Sequence, residues 1–193
     1  DGAETDVANA RNINQGFPCR LGRSLPSRET ALIHYSTDFV FGGDKQTPYT
    51  PDDPTRPCNV YGQTKLEGEK ALLQQGLPRL YIIRTAWLFG PGKANFVTTM
   101  RRLAATHPRL RVIHAQLGSP TYTLDLAGYT LHLLHKAPPG VYHLANSGRA
   151  SWCELASEAL NLFGSSCPVE AITAADYPQT APRPHYSVLD CQA

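Results

Sequence analysis

The chain has 193 residues, 41% of them hydrophobic and 18% charged, an ordinary globular balance with enough apolar material for a core. A formal charge of +2 gives no general drive toward nucleic acid or an acidic membrane surface. With no apolar run of about 18 residues and no signal peptide at its start, it is expected to cross no membrane and reads as cytoplasmic.

The opening stretch "AETDVANARNINQG" has helical character, but Pro18, Gly22 and Pro26 are expected to break the helix beyond it. "ALIHYS" (Ala31–Ser36) is a short apolar run that predicts a buried strand. A Gly-, Pro- and Asp-rich loop then runs from Gly42 to Pro57. Asn59 is a fitting N-cap for a helix through "KLEGEKALLQQ", with Gly76 and Pro78 as its stop. "LYIIRT" (Leu80–Thr85) predicts a second buried strand, "NFVTTMRRLAA" (Asn95–Ala105) a helix, and "LRVIHA" a strand. In "TLDLAGYTLHLLHK" (Thr123–Lys136), Leu124, Ala127, Leu131 and Leu134 share one helical face. "GVYHLA" predicts another strand, and Ser151 with Glu154 a capping box opening a helix that Gly164 stops. The last stretch, "TAADYPQTAPRPHYSVLDCQA", reads as an irregular segment draped on the body.

Strands alternate with helices, which predicts an α/β fold with a mainly parallel sheet. Ligands in such sheets sit beyond the carboxyl ends of the strands. The residues that matter most are therefore "STDF" after the first strand and "AWLFG" after the second. Cys19, Cys58, Cys153, Cys167 and Cys191 are scattered and odd in number, the pattern of free thiols rather than a disulfide framework. His132 and His135 lie three apart on a helix, without a carboxylate or cysteine at ligand spacing, so no metal site is expected there.

Tyr61 and Lys65 are four apart in the helix that Asn59 opens, so they share a face. By itself YxxxK is degenerate and is met by any surface tyrosine packed on a lysine stem. Three blocks raise its meaning: "HYSTDFVFGG", "RPCNVYGQTKLEGEKAL" and "IRTAWLFGPGKANF". Together they resemble the extended short-chain dehydrogenase/reductase superfamily, and within it the dTDP-4-dehydrorhamnose reductase family. "QLGSPTYTLDLA" and "APRPHYSVLD" are similar to that family's substrate-side loop and C-terminal Arg-Pro segment.

The resemblance implies a partial Rossmann-like parallel sheet flanked by helices, a catalytic part over residues 1–120, and a smaller, interleaved substrate-binding lobe over 121–193. It implies NADPH (or NADH) as cofactor and a nucleotide-sugar, a dTDP-4-keto-6-deoxyhexose, as substrate. Tyr61 and Lys65 match the catalytic pair, which also meets the cofactor, and Thr37 matches the hydroxyl residue of the triad. Asp38, Phe39 and Trp87 match the sugar pocket, with Phe39 where the family usually has Tyr. Asn95, Gln116 and Arg183 fall in segments that hold the nucleotide-sugar. Some relatives form a metal-linked dimer; a homodimer is left open, and nothing in this sequence supports a Mg²⁺ site.

The expected chemistry is ketone reduction at sugar C4. A free tyrosine has a pKa of about 10, and an ammonium one turn away is expected to lower it. Thr37 would donate to the developing alkoxide. Two departures stand out. The family's GxxGxxG turn is absent from these residues, so this chain alone is expected to bind cofactor weakly and to be impaired. "FPCRLGRSLPSRE" also stands where the family has an alanine-rich helix. Two other readings remain: a non-catalytic sugar-nucleotide-binding or regulatory subunit, and an epimerase or dehydratase, which Phe39 after Asp38 disfavours.

Overall fold

The computed structural model describes residues 2–177 and 179–192. It begins with a nearly continuous helical run: α1 (Gly2–Thr5), α2 (Val7–Arg11), a π-helical segment (Asn12–Gly16) and α3 (Phe17–Arg23). The expectation that Pro18 and Gly22 interrupt this run is corrected. Pro18 falls in the first turn of α3, where a missing N–H costs little, and the wider π turn precedes it. Helix does end before the first strand, at Arg23.

β1 (Leu32–Thr37) leads into a 3₁₀ turn (Asp38–Val40), and α4 (Val60–Leu73) comes after the loop. Next come β2 (Leu80–Thr85), β3 (Leu88–Phe89), α5 (Phe96–Ala104), β4 (Leu110–Ile113), β5 (Leu117–Gly118) and β6 (Thr121–Tyr122). The chain continues through α6 (Thr123–Lys136), β7 (Gly140–His143), β8 (Ala150–Ser151), α7 (Trp152–Leu162), β9 (Val169–Ile172) and a 3₁₀ turn at Ala174–Asp176. The expected caps form. The Asn59 side chain accepts from Gly62 N, and Ser151 and Glu154 form a reciprocal box. Gly76 and Gly164 stand beyond their helices at φ 58° and 68°, where a side chain would be strained.

The main sheet has the order β1-β2-β7, all parallel, with Leu32 opposite Leu80 and Tyr81 opposite Gly140. β4 pairs not with this sheet but with β9, also in parallel. Residues on both sides of position 120 thus contribute to both units. Leu32, Leu72, Leu80 and Ile82 pack between α4 and the sheet, while Leu110, Val112, Ala156 and Leu160 form a second core under α7.

Two expectations change. On α6 the buried residues are Leu126 and Thr130, while Leu124 and Leu131 are 58% and 61% exposed. The helix is apolar on more than one side, so the neighbouring sheet, which reaches it through the Tyr35 hydroxyl to Thr130 Oγ1, selects the inner face. The C-terminal segment is not draped on the surface. Tyr186, Val188 and Leu189 are in the core with Val40, Phe41 and Tyr49, and backbone bonds join the segment to Leu117 and Tyr49. All five cysteines are free.

The atypical segment before β1 is fastened to α4. Arg11 pairs with Glu67, Asn14 Nδ2 donates to Thr64 Oγ1, and a Cβ on Gly68 would collide with the Asn14 carbonyl oxygen. Because that obstacle is backbone, Gly68→Ala is expected to destabilise the fold by about 1–3 kcal/mol, read as a lower midpoint in urea with unchanged slope.

Candidate active site

Thr37 ends β1, and its hydroxyl accepts from Phe39 N and donates to Asp38 Oδ1 at 3.1 Å. The first turn of α4 lies directly on this segment: a Cβ on Gly62 would collide with the Phe39 carbonyl oxygen. That approach brings Tyr61 to Thr37. The Tyr61 ring meets Phe39 edge-on, centroids 6.1 Å apart, and the side chain keeps 41% exposure. Asn59 locks the junction, accepting from Gly62 N and donating to the Pro182 carbonyl at 2.8 Å. The Arg-Pro segment is thereby tied to the start of α4.

Lys65 does not bond the phenol; its Nζ donates to the Tyr35 carbonyl at 2.5 Å. Desolvation raises the Tyr61 pKa above its ordinary value, partly opposed by a hydrogen bond from Thr37, and Asp38 adds to the rise. This corrects the expectation of a lysine-lowered phenol: Lys65 is not among the groups that shift it, and burial and the Asp38 charge both act to raise it. Lys65 is itself pulled down by desolvation, against the pull of Glu69.

Asp38 is buried, at 3% exposure. Desolvation lifts its pKa to about 6, with Ser187 and Thr37 hydroxyls acting against it. A folded-state pKa above the unfolded value means that the native protein binds the extra proton near pH 5, so this penalty is absent in acid and full above about pH 6. His34 and His143 do the reverse. Burial lowers both to about 4, so stability that they confer near neutrality is lost as pH falls from about 6.5 toward 4. Asp38→Asn is expected to raise stability by on the order of 2 kcal/mol at pH 8, roughly half as much at pH 5 and hardly at all near pH 3, checked by thermal melts across that range.

Trp87 has a backbone φ of 47°, strained for a bulky residue. Its indole stacks on Trp152 at 3.6 Å and 7°, and covers Gly118 so closely that a Cβ there would collide with the indole ring. Phe96 packs on the far ring, its centroid 4.6 Å from that of Trp152. Beside this column lies a cavity of about 340 Å³ lined by Phe96, Trp152, Gln116, Gln179 and Arg183 among others. Gln116 Nε2 donates to Gln179 Oε1. A smaller cavity of about 230 Å³ is lined by Phe39, Asn59, Tyr61 and Arg183. Arg183 is common to both.

Most of the residues singled out in the sequence therefore converge. Thr37, Asp38, Phe39 and Tyr61 surround one spot, Lys65 lies a turn along α4, and Arg183 links this spot to Gln116. Asn95 stands apart. Its Oδ1 accepts from Thr98 N and its Nδ2 donates to the Gly90 carbonyl, the work of a helix cap, and the larger cavity is lined by Phe96 instead. Sequence reasoning misses Trp152, Asn59 and Ser187 as site residues. An aromatic after a capping serine reads as core, and only Asn59 carries a signal, that of a cap. Among the described residues no group of three or more His, Cys, Asp or Glu is placed to hold a metal, and no helix is long and apolar enough to cross a membrane.

A tyrosine and lysine one turn apart on the helix after a parallel strand, with a threonine at that strand's end, are the mark of the short-chain dehydrogenase/reductase class of α/β proteins. The model of the RmlD substrate binding domain matches residues 1–193, and the chain belongs to that family. It is 42% identical over 196 residues to a dTDP-4-dehydrorhamnose reductase of Mycolicibacterium smegmatis, matching 100% of this chain and 60% of that protein. A dTDP-4-dehydrorhamnose reductase crystal structure from Clostridium acetobutylicum superposes with a TM-score of 0.93 at 40% identity, over 98% of this chain and 67% of that one. Another from Bacillus anthracis, in complex with NADP, gives 0.94 at 32% identity, over 100% and 68%. The chain thus spans about three fifths of the length of the M. smegmatis relative.

Proposed function

We propose that this chain is the catalytic and sugar-binding part of an NADPH-dependent reductase that converts the 4-keto group of dTDP-4-dehydrorhamnose to the alcohol of dTDP-L-rhamnose. The observation that carries this is Arg183, shared between a small cavity at the Tyr61 phenol and a larger, aromatic-walled one. A nucleotide-sugar has the same division: a sugar to be reduced, a charged diphosphate, and a flat base that aromatic rings accept.

The donor set at the small cavity suits the reacting end of a nicotinamide nucleotide. Tyr61, which lines that cavity, offers a hydroxyl, and Lys65, a turn further along α4, an ammonium able to meet a ribose. NADPH, when bound, supplies the hydride. Tyr61 then gives its proton to the C4 oxygen, and its raised pKa keeps that proton in place at neutral pH. Lys65, steadied by the Tyr35 carbonyl, stabilises the phenolate that remains. Thr37 has one hydroxyl proton, donated here to Asp38 Oδ1, which rotation about its Cβ–Oγ bond redirects to the sugar oxygen.

The test is loss of NADPH absorbance with dTDP-4-dehydrorhamnose, using the chain alone and joined to the glycine-rich amino-terminal segment of a relative. Turnover by the joined protein supports the reading; turnover with other nucleotide-sugars only, or none, overturns it. Nucleotide binding without turnover would favour a non-catalytic binding subunit. In the chain alone, dTDP is expected to alter the fluorescence of the stacked tryptophans. Arg183→Ala should weaken its binding about 10- to 100-fold, the worth of a charged hydrogen bond.

A further inference from the structure

α4 places a third titratable residue on the stripe that holds Tyr61 and Lys65. Glu69 lies one turn beyond Lys65, buried at 1% exposure, against Arg84 of β2 at 5%. The pair is bidentate: Arg84 Nε donates to Glu69 Oε1 at 3.1 Å and Nη2 to Oε2 at 2.8 Å. Nη1 donates to the Pro51 carbonyl at 3.0 Å, and the guanidinium rests over the Phe41 ring at 5.2 Å. One node therefore joins α4, the central strand, the loop before α4 and the segment after Thr37. A buried ion pair is a weak device for stability alone, since apolar residues of like volume often do as well. Its placement here calls for another role.

We propose that Glu69, clamped by Arg84, is a positioning residue. It fixes α4 against β2 and supplies the negative charge that supports the Lys65 ammonium beside Tyr61. This rests on the reading of Lys65 as part of the reductase machinery. The charge balance around Lys65 supports it. Desolvation works against that ammonium, and His34 of β1 is near enough to feel its charge. Among the described residues, Glu69 is the group that acts to raise the lysine's pKa.

The experiment titrates the ε-carbons of ¹³C-labelled lysine by NMR in the chain as it stands. Its five lysines are separable, and Lys65 is assigned by its loss in Lys65→Arg. In the neutral double variant Glu69→Gln/Arg84→Met, Lys65 is expected to lose proton affinity by about threefold or more, with exposed Lys136 unchanged. Glu69→Asp should keep most of that affinity. If the first double variant does not fold, Glu69→Met/Arg84→Met offers an apolar pair for the same titration. An unmoved Lys65 in a folded neutral variant overturns the proposal. The titration needs no turnover. Tyr61→Phe that leaves turnover intact would remove the reductase reading without touching the Lys65 result.

Discussion

Tyr61→Phe is expected to lower turnover by about 10²- to 10⁴-fold, the range of a lost general acid, in the chain joined to a glycine-rich amino-terminal segment. The ring that meets Phe39 is retained, and Tyr61 lines a cavity rather than packed core, so stability and nucleotide binding should hardly change. The loss should fall on kcat rather than KM, because the proton is needed only as charge develops on the C4 oxygen. The pH dependence has a definite sign. Desolvation raises the phenol above its ordinary pKa, so the acid form persists through neutrality and activity should fall only on the alkaline side. Unchanged single-turnover rates in Tyr61→Phe would show that another group delivers the proton.

Arg84→Ala is the substitution with the largest expected effect on stability, a loss of about 3–5 kcal/mol, because it strands the Glu69 carboxylate in the core. The cost is not the worth of the ion pair. It is the cost of one buried charge without its partner, so replacing both residues by apolar ones should return most of the stability. Urea denaturation of the single and double variants separates the two. If the single variant loses less than about 1 kcal/mol, the site admits water and the pair behaves like a surface one. The exposed Arg11–Glu67 pair supplies that comparison: removing it should cost well under about 1 kcal/mol.

Much of the frame could be read from local sequence. β2 and α6 lie at the residues predicted, and the caps at Asn59 and Ser151 are formed by the side chains expected to form them. Each of these signals is local. A cap needs only its own turn, and a wholly buried strand declares itself by an unbroken apolar run. The site residues Thr37, Tyr61 and Arg183 were legible only through resemblance to a family, since a lone threonine at a strand end or an arginine between prolines has ordinary explanations. β9 was not predicted, because "VEAI" alternates too briefly to stand out from its turns.

By itself, the sequence determined the alternation of strand and helix after β1, the capped starts of α4 and α7 and the one-turn spacing of Tyr61, Lys65 and Glu69, because backbone period and capping are settled within a few residues. Tertiary structure decided which face of α6 is inner, that the C-terminal segment enters the core, and that Trp152 backs Trp87. It also decided that the Tyr61 phenol is raised rather than lowered. Those outcomes depend on distant neighbours and on the water they exclude, and desolvation at a site is a property of everything packed around it.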